Sequence, residues 1–280
     1  MRIRVLWFLA LFLVACRPAV ESNPTPSVAA ETSEPTLIAS LFPTETSTPT
    51  QTLPPTSTAT STATSTATKT VPMIQITPKP DFQLCSPLAE QSLDELAEIV
   101  SDPYHPPPAG KDDRHHGTDF SYYRRKDRTT IAGETVQSML PGKVVAAVND
   151  RLPYGNMVLI ETNRDDLPPT LISAFNIAPE EALYLLYAHF GQPPQAVIGQ
   201  QVSCGDPLGE VGATGYNIVN PHLHLETRIG PAGADFSQGM AYYSTAASEI
   251  ERSNYELWRT SGVFRHFDPM ALIDWYLKSR

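Results

Sequence analysis

The hexapeptide Pro221-His222-Leu223-His224-Leu225-Glu226 decides how this chain reads. Its polar and apolar residues alternate strictly, and successive side chains of a strand point to opposite faces. As a strand it turns Leu223 and Leu225 toward a core. His222, His224 and Glu226 then face an open groove on the other side. Two imidazoles on one strand face can share a metal ion, or one can bind it while the other acts as a base. Glu226 shares that face and could orient a histidine there, but a solvated carboxylate is the expectation.

Working outward, the flanking sequence carries the same strand signature. Residues 144–148, 157–161, 183–189 and 222–228 are short, rich in apolar or branched side chains, and bounded by Gly, Pro or Asn. Turn signals stand at Pro141-Gly142, Tyr154-Gly155-Asn156 and Cys204-Gly205-Asp206. Residues 163–182, with Pro168-Pro169, read as an elaborated loop between two strands. Upstream, Leu88, Leu93, Leu96, Ile99 and Val100 fall near helical spacing, predicting a short amphipathic helix that ends before Pro103 and the Pro106-Pro107-Pro108 run. Asp268-Pro269 is a helix start, with an N-cap carboxylate and Pro at the first helical position. The expected fold is mainly β: one antiparallel β-sheet domain over residues 81–280, with short peripheral helices.

Two further segments carry histidines. In Arg114-His115-His116-Gly117-Thr118-Asp119, the residues His115, Gly117 and Asp119 share one face of an extended chain. Gly117 leaves open space between an imidazole and a carboxylate, and both groups bind zinc. His116 faces away from that side. In Leu185-Leu186-Tyr187-Ala188-His189-Phe190, a single histidine closes an apolar strand. His105 and His266 read as surface or packing residues. Cys85 and Cys204 both lie in this half of the chain. A disulfide between them is possible, although spacing alone does not give their distance.

The first 80 residues are of another kind. Arg2 and Arg4 precede an apolar run from Val5 to Ala15, too short to span a bilayer of about 30 Å as a helix. Residues 1–15 read as a signal peptide. Leu13-Val14-Ala15-Cys16 resembles the lipobox of bacterial lipoproteins, which implies a lipid on Cys16 and an extracytoplasmic address on the cell membrane or outer membrane. Residues 16–80 collapse to Ser, Thr, Pro and Ala, with the tandem run STATSTATSTAT at 57–68. Such a segment cannot bury enough apolar surface to offset the entropy of ordering, so it reads as a disordered stalk. Eleven of the chain's 27 prolines sit here, and the formal charge of −10 argues against a nucleic-acid partner.

The order His115-x-Gly117-x-Asp119, Tyr187-Ala188-His189-Phe190, then Pro221-His222-Leu223-His224-Leu225-Glu226 resembles the lysostaphin/LytM-type zinc peptidases, the M23 metallopeptidases. The resemblance covers about residues 110–230. It includes Leu140-Pro141-Gly142-Lys143-Val144, Tyr154-Gly155-Asn156-Met157-Val158 and the glycine turns from Gly199 to Gly215. It implies a LytM/lysostaphin-like sheet and a Zn²⁺ held by His115, Asp119 and His224, with His222 and His189 as catalytic residues lining the site. Three protein ligands leave one position for water, as in catalytic zinc sites. No HExxH occurs, so a histidine replaces the usual glutamate base. One of His222 and His189 takes the proton and the other stabilises the oxyanion; the residues leave open which. The implied function is a membrane-tethered, monomeric endopeptidase acting on peptidoglycan peptide crosslinks. The alternatives are a non-enzymatic LytM-like wall-binding or hydrolase-regulating domain, and a peptidase acting on a protein or a foreign wall. Residues 163–182 and the stretch after Arg228 depart from the family pattern and are expected to reshape the groove rim.

Overall fold

The computed structural model of the chain describes residues 82–108, 110–242 and 244–280; the predicted signal peptide, Cys16 and the whole stalk sequence to residue 81 lie outside the described residues. Among the described residues there are ten strands: β1 Val100–Asp102, β2 Thr118–Phe120, β3 Thr135–Gln137, β4 Gly142–Arg151, β5 Gly155–Thr162, β6 Glu181–Phe190, β7 Gln201–Val202, β8 Pro207–Glu210, β9 Leu223–Pro231 and β10 Arg265–Phe267. Three helices accompany them: α1 Pro169–Phe175, α2 Glu249–Arg259 and α3 Pro269–Ser279. The main sheet runs β1-β2-β9-β6-β5-β4-β7, and β10 pairs β9. Because β6 takes one edge of β9, β2 and β10 share the other, β2 along residues 223–225 and β10 along 227–229. The strands β3 and β8 form a separate ribbon. Every strand pairing is antiparallel, as the sequence pattern implies.

The central strands are buried on both faces, which explains why they read as nearly continuous apolar runs. One face packs Val144, Val158, Ile160, Leu185, Leu223 and Leu225 against Leu93, Leu96, Ile99 and the α3 residues Leu272 and Ile273. The other face packs Val145, Met157, Leu159, Tyr184 and Leu186 beneath Phe236, Met240, Tyr255, Trp258 and Phe264. Those last five side chains come from the stretch after Arg228. That stretch is a layer of the core, because a sheet that is apolar on both faces must be covered on both, and its Tyr242, Tyr255 and Arg259 also line a cavity with Tyr216.

The short amphipathic helix predicted near residues 88–100 is present as a 3-10 helix, Leu93–Ile99, with β1 following directly. With three residues per turn, Leu93, Leu96 and Ile99 line up on one buried face. Leu88 lies outside it and bridges Val136. The expected loop at 163–182 holds α1. Pro169 occupies its first turn, Leu171 is its buried residue, and Asn176 ends it at φ 53°. The helix α3 starts as expected, with the Asp268 side chain accepting from the Met270 N–H at 2.9 Å. Cys85 and Cys204 form a disulfide, Cα to Cα 5.6 Å, tying the lead-in beside Met139 to the turn before β8. Among the described residues no helix is long and apolar enough to cross a membrane.

Candidate metal centre

The pairing of β2 with β9 sets the site. Asp119 lies directly opposite His224, so both side chains leave the same face of the sheet. Their neighbours Thr118, Phe120, Leu223 and Leu225 are fully buried. A one-residue slip of β2 would turn Asp119 into the core, so burial fixes the register. His115 reaches the same point from the turn before β2. Gly117 makes this possible. A Cβ there would overlap the Leu225 carbonyl oxygen and come within 2.8 Å of His224 Cε1. The open space expected beside Gly117 is filled by β9, and the glycine is what lets the two segments touch.

Three atoms converge. His224 Nδ1 lies 2.8 Å from Asp119 Oδ1, His115 Nε2 lies 3.0 Å from the same oxygen, and the two nitrogens are 3.0 Å apart. These residues form a group of ligand atoms all within 4.8 Å of one another that could hold a metal ion. A tetrahedron with bonds of ~2.0–2.2 Å has edges of roughly 3.3–3.6 Å, so an opening of a few tenths of an ångström seats a zinc ion. The outer hydrogen bonds fit as well. The His115 Nδ1–H donates to the Pro103 carbonyl at 3.0 Å, and the His224 Nε2–H donates to Glu226 Oε1 at 3.2 Å. Each ring thereby turns its other nitrogen toward the carboxylate of Asp119, the arrangement that zinc-ligating histidines use.

The electrostatics agree. Burial pushes Asp119 upward, but hydrogen bonds from His115 and His224 outweigh it and hold the carboxyl below the usual carboxylate range. Burial pulls His224 down, yet its bonds to Asp119 and Glu226 push it up to about 9.

Two more imidazoles flank this group. His222 Nε2 is 3.4 Å from Asp119 Oδ2, while its Nδ1–H donates to the Asn220 carbonyl at 2.9 Å. With Asp119, Ser121, Tyr122 and Val219, His222 lines a groove of about 310 Å³. His189, at φ 66°, sits in the left-handed region that a Cβ disfavours. Its Nδ1–H donates to the Thr214 carbonyl at 2.8 Å. Its ring centre is 4.7 Å from that of His222 and 5.5 Å from that of His224. Burial pulls His189 down to about 3, with His224 and His222 adding to the effect.

The structure thus brings His115, Asp119, His189, His222 and His224 together. Two details differ from the strand reading. β9 begins at Leu223, and His222 makes only an isolated bridge to Gly212. Glu226 is fully buried rather than solvated, because residues beyond Arg228 cover that face. Its oxygens accept from His224, Tyr154 (2.7 Å), Arg228 (2.8 and 3.0 Å) and Trp258 (3.0 Å). Burial alone would raise Glu226; Arg228 first, then His224 and Arg259, hold it well below the usual range. The sequence signal for this role was the period of two that placed Glu226 on the face of His224. His116 is buried against Arg228, whose Nη2–H donates to its Nδ1 at 2.8 Å. His266 meets Tyr104 Oη at 2.6 Å, and His105 is exposed.

No protein-family model matches the chain. Among solved structures, it is similar to the catalytic domain of the antimicrobial peptidase lysostaphin from Staphylococcus simulans: 20% identity, covering 66% of this chain and 99% of that one, TM-score 0.39. It is also similar to a zinc-containing peptidase from Vibrio cholerae, at 27% identity over 46% of this chain and 32% of that one, TM-score 0.32. A third is a putative peptidase M23 from Pseudomonas aeruginosa, at 23% identity over 53% and 46%, TM-score 0.31. The match spans less than half the length of the Vibrio and Pseudomonas chains.

Proposed function

We propose that this chain is a zinc metallo-endopeptidase that hydrolyses peptide bonds in peptidoglycan. The observation that carries the reading is the convergence of His115, Asp119 and His224 with two further imidazoles beside them. A purely structural zinc site would close its fourth position with a protein ligand. The wall substrate rests on the sequence resemblance and on the export signal at residues 1–15.

His115, Asp119 and His224 would hold the zinc. When bound, zinc lowers the pKa of a water to about 7 and polarises the scissile carbonyl. His222 borders the open groove, and its Nδ1–H is engaged by Asn220, so Nε2 is free to take the proton of the attacking water. His189 is oriented in the same way by Thr214. Its ring centre lies 4.7 Å from that of His222, so the one proton taken from the water would be held by this pair beside the carbonyl oxygen and stabilise the charge there. The proton collected by the histidine pair leaves on the departing amine. Cys16 carries the lipid anchor, residues 16–80 form the tether, and residues 81–280 are the monomeric catalytic domain outside the cytoplasm. The disulfide between Cys85 and Cys204 is compatible with that address.

The test is digestion of purified peptidoglycan by the zinc-loaded chain, with His115→Ala in parallel and fragments identified by mass spectrometry. New peptide amino termini released only by the intact site are expected. No release from several wall chemotypes by a zinc-loaded chain would contradict the reading and favour a wall-binding or hydrolase-regulating domain.

A further inference from the structure

The stretch after Arg228 does more than cover the sheet. Its helix α2 opens with a capping box between Ser248 and Glu251 and buries Tyr255 and Trp258. Arg259, its last residue, reaches the back of the metal centre. Arg259 Nε–H donates to Asp112 Oδ1 at 2.6 Å, and Nη1–H donates to Glu226 Oε1 at 3.0 Å. Asp112 stands three residues before His115, and its other oxygen accepts from the Tyr255 hydroxyl at 2.6 Å. Glu226 stands two residues after His224 and accepts that ring's Nε2–H. One guanidinium therefore bridges the two chain segments that carry the three candidate ligands.

We propose that Arg259, on a helix outside the sheet, is a positioning residue of the metal centre: it ties the His115/Asp119 segment to the His224 segment through Asp112 and Glu226. The inference rests on the zinc reading above. Arginine suits the task because its planar fork offers donors in two fixed directions at once, whereas a lysine ammonium is a point charge that cannot span both carboxylates in the same way. The bridge is separable from the fold. Without Arg259, Glu226 keeps Arg228, Trp258 and Tyr154, and Asp112 keeps Tyr255. What is lost is the side-chain tie behind the ligands, which supplements the β2–β9 pairing and the Arg228–His116 bond, and with it part of what fixes the direction of His224 Nδ1 toward His115 and Asp119.

The test measures zinc affinity by chelator competition on the full chain, its Arg259→Gln and Arg259→Lys variants, and Asp112→Asn. The last cuts the far end of the bridge at a partly exposed side chain, so it reports even where an Arg259 variant fails to fold. Outer partners of zinc ligands are typically worth about 10–100-fold in affinity. Arg259→Gln is expected to weaken zinc in that range and Asp112→Asn by about tenfold, with Arg259→Lys recovering part of the loss. Long-range ¹H–¹⁵N spectra are expected to show one sharp Nε2-protonated signal for His224 in the parent and exchange broadening in Arg259→Gln. Zinc affinities within about twofold of the parent in the folded variants, with only the melting temperature lowered, would overturn the proposal and leave Arg259 a packing residue. A parent chain that binds no zinc overturns the proposed function and this inference with it.

Discussion

Asp119→Ala is expected to abolish zinc binding and peptidase activity together, whereas His222→Ala keeps the zinc and loses only the activity. Asp119 is the pivot of the site, because its Oδ1 lies 2.8 Å from His224 and 3.0 Å from His115. Its removal takes away the single anionic ligand and leaves two imidazoles without the group that holds them together. Several kcal/mol of transition-state stabilisation leave with the metal, so the rate falls by about 10³-fold or more. His222 Nε2 approaches Asp119 Oδ2 only at 3.4 Å, and the ring borders the groove. A general base of this kind contributes about 10²–10⁴-fold. Metal content after dialysis, measured beside the steady-state rate, separates the two variants. Loss of zinc from His222→Ala would mean that His222 is a ligand, and the division of labour would have to be redrawn.

The second large effect is on stability. Cys85→Ser with Cys204→Ser is expected to destabilise the domain by about 2–5 kcal/mol, because the closed loop is long. The two residues are separated by 119 positions. The link holds down the lead-in that delivers Leu84, Leu88, Leu93, Leu96 and Ile99 to one face of the sheet. For a domain of this size about 1 kcal/mol corresponds to roughly 2–4 °C, so the melting temperature should drop by about 4–20 °C. Zinc binding at 25 °C should survive, since none of the converging side chains touches the disulfide-bonded pair. An unchanged melting temperature would show that the lead-in is held by packing alone.

Much of this was legible in the residues. The alternation at 221–226 gave the strand and its two faces, and the two-residue spacing of His115, Gly117 and Asp119 brought a second set of ligands into view. Burial then fixed what spacing left open: the register that sets Asp119 opposite His224 follows from Thr118, Phe120, Leu223 and Leu225 all needing cover. The far half of the second core was not legible in that way. Phe236, Met240, Tyr255, Trp258 and Phe264 are too widely spaced to show a period, so their stretch read as a groove rim. Glu226 was misread for the same reason, since a carboxylate on a strand face looks solvated until something covers it. Ser248 and Glu251, three apart ahead of α2, were a capping-box signal that would have revealed the helix. The helix α1 hid behind Pro168-Pro169, which mark a loop and a helix start equally well. The helix at Leu93–Ile99 was legible from its spacing, but not its 3-10 form, because spacing by threes suits both kinds of helix.

The most direct test of the central claim is diffraction from crystals of the zinc-loaded chain, recorded on both sides of the zinc absorption edge. The account predicts one anomalous peak bonded at about 2.0–2.2 Å to His115 Nε2, Asp119 Oδ1 and His224 Nδ1, with a solvent oxygen in the fourth position. A peak whose fourth ligand is His222 or His189 would describe a closed, structural site. No peak among these side chains would contradict the account altogether.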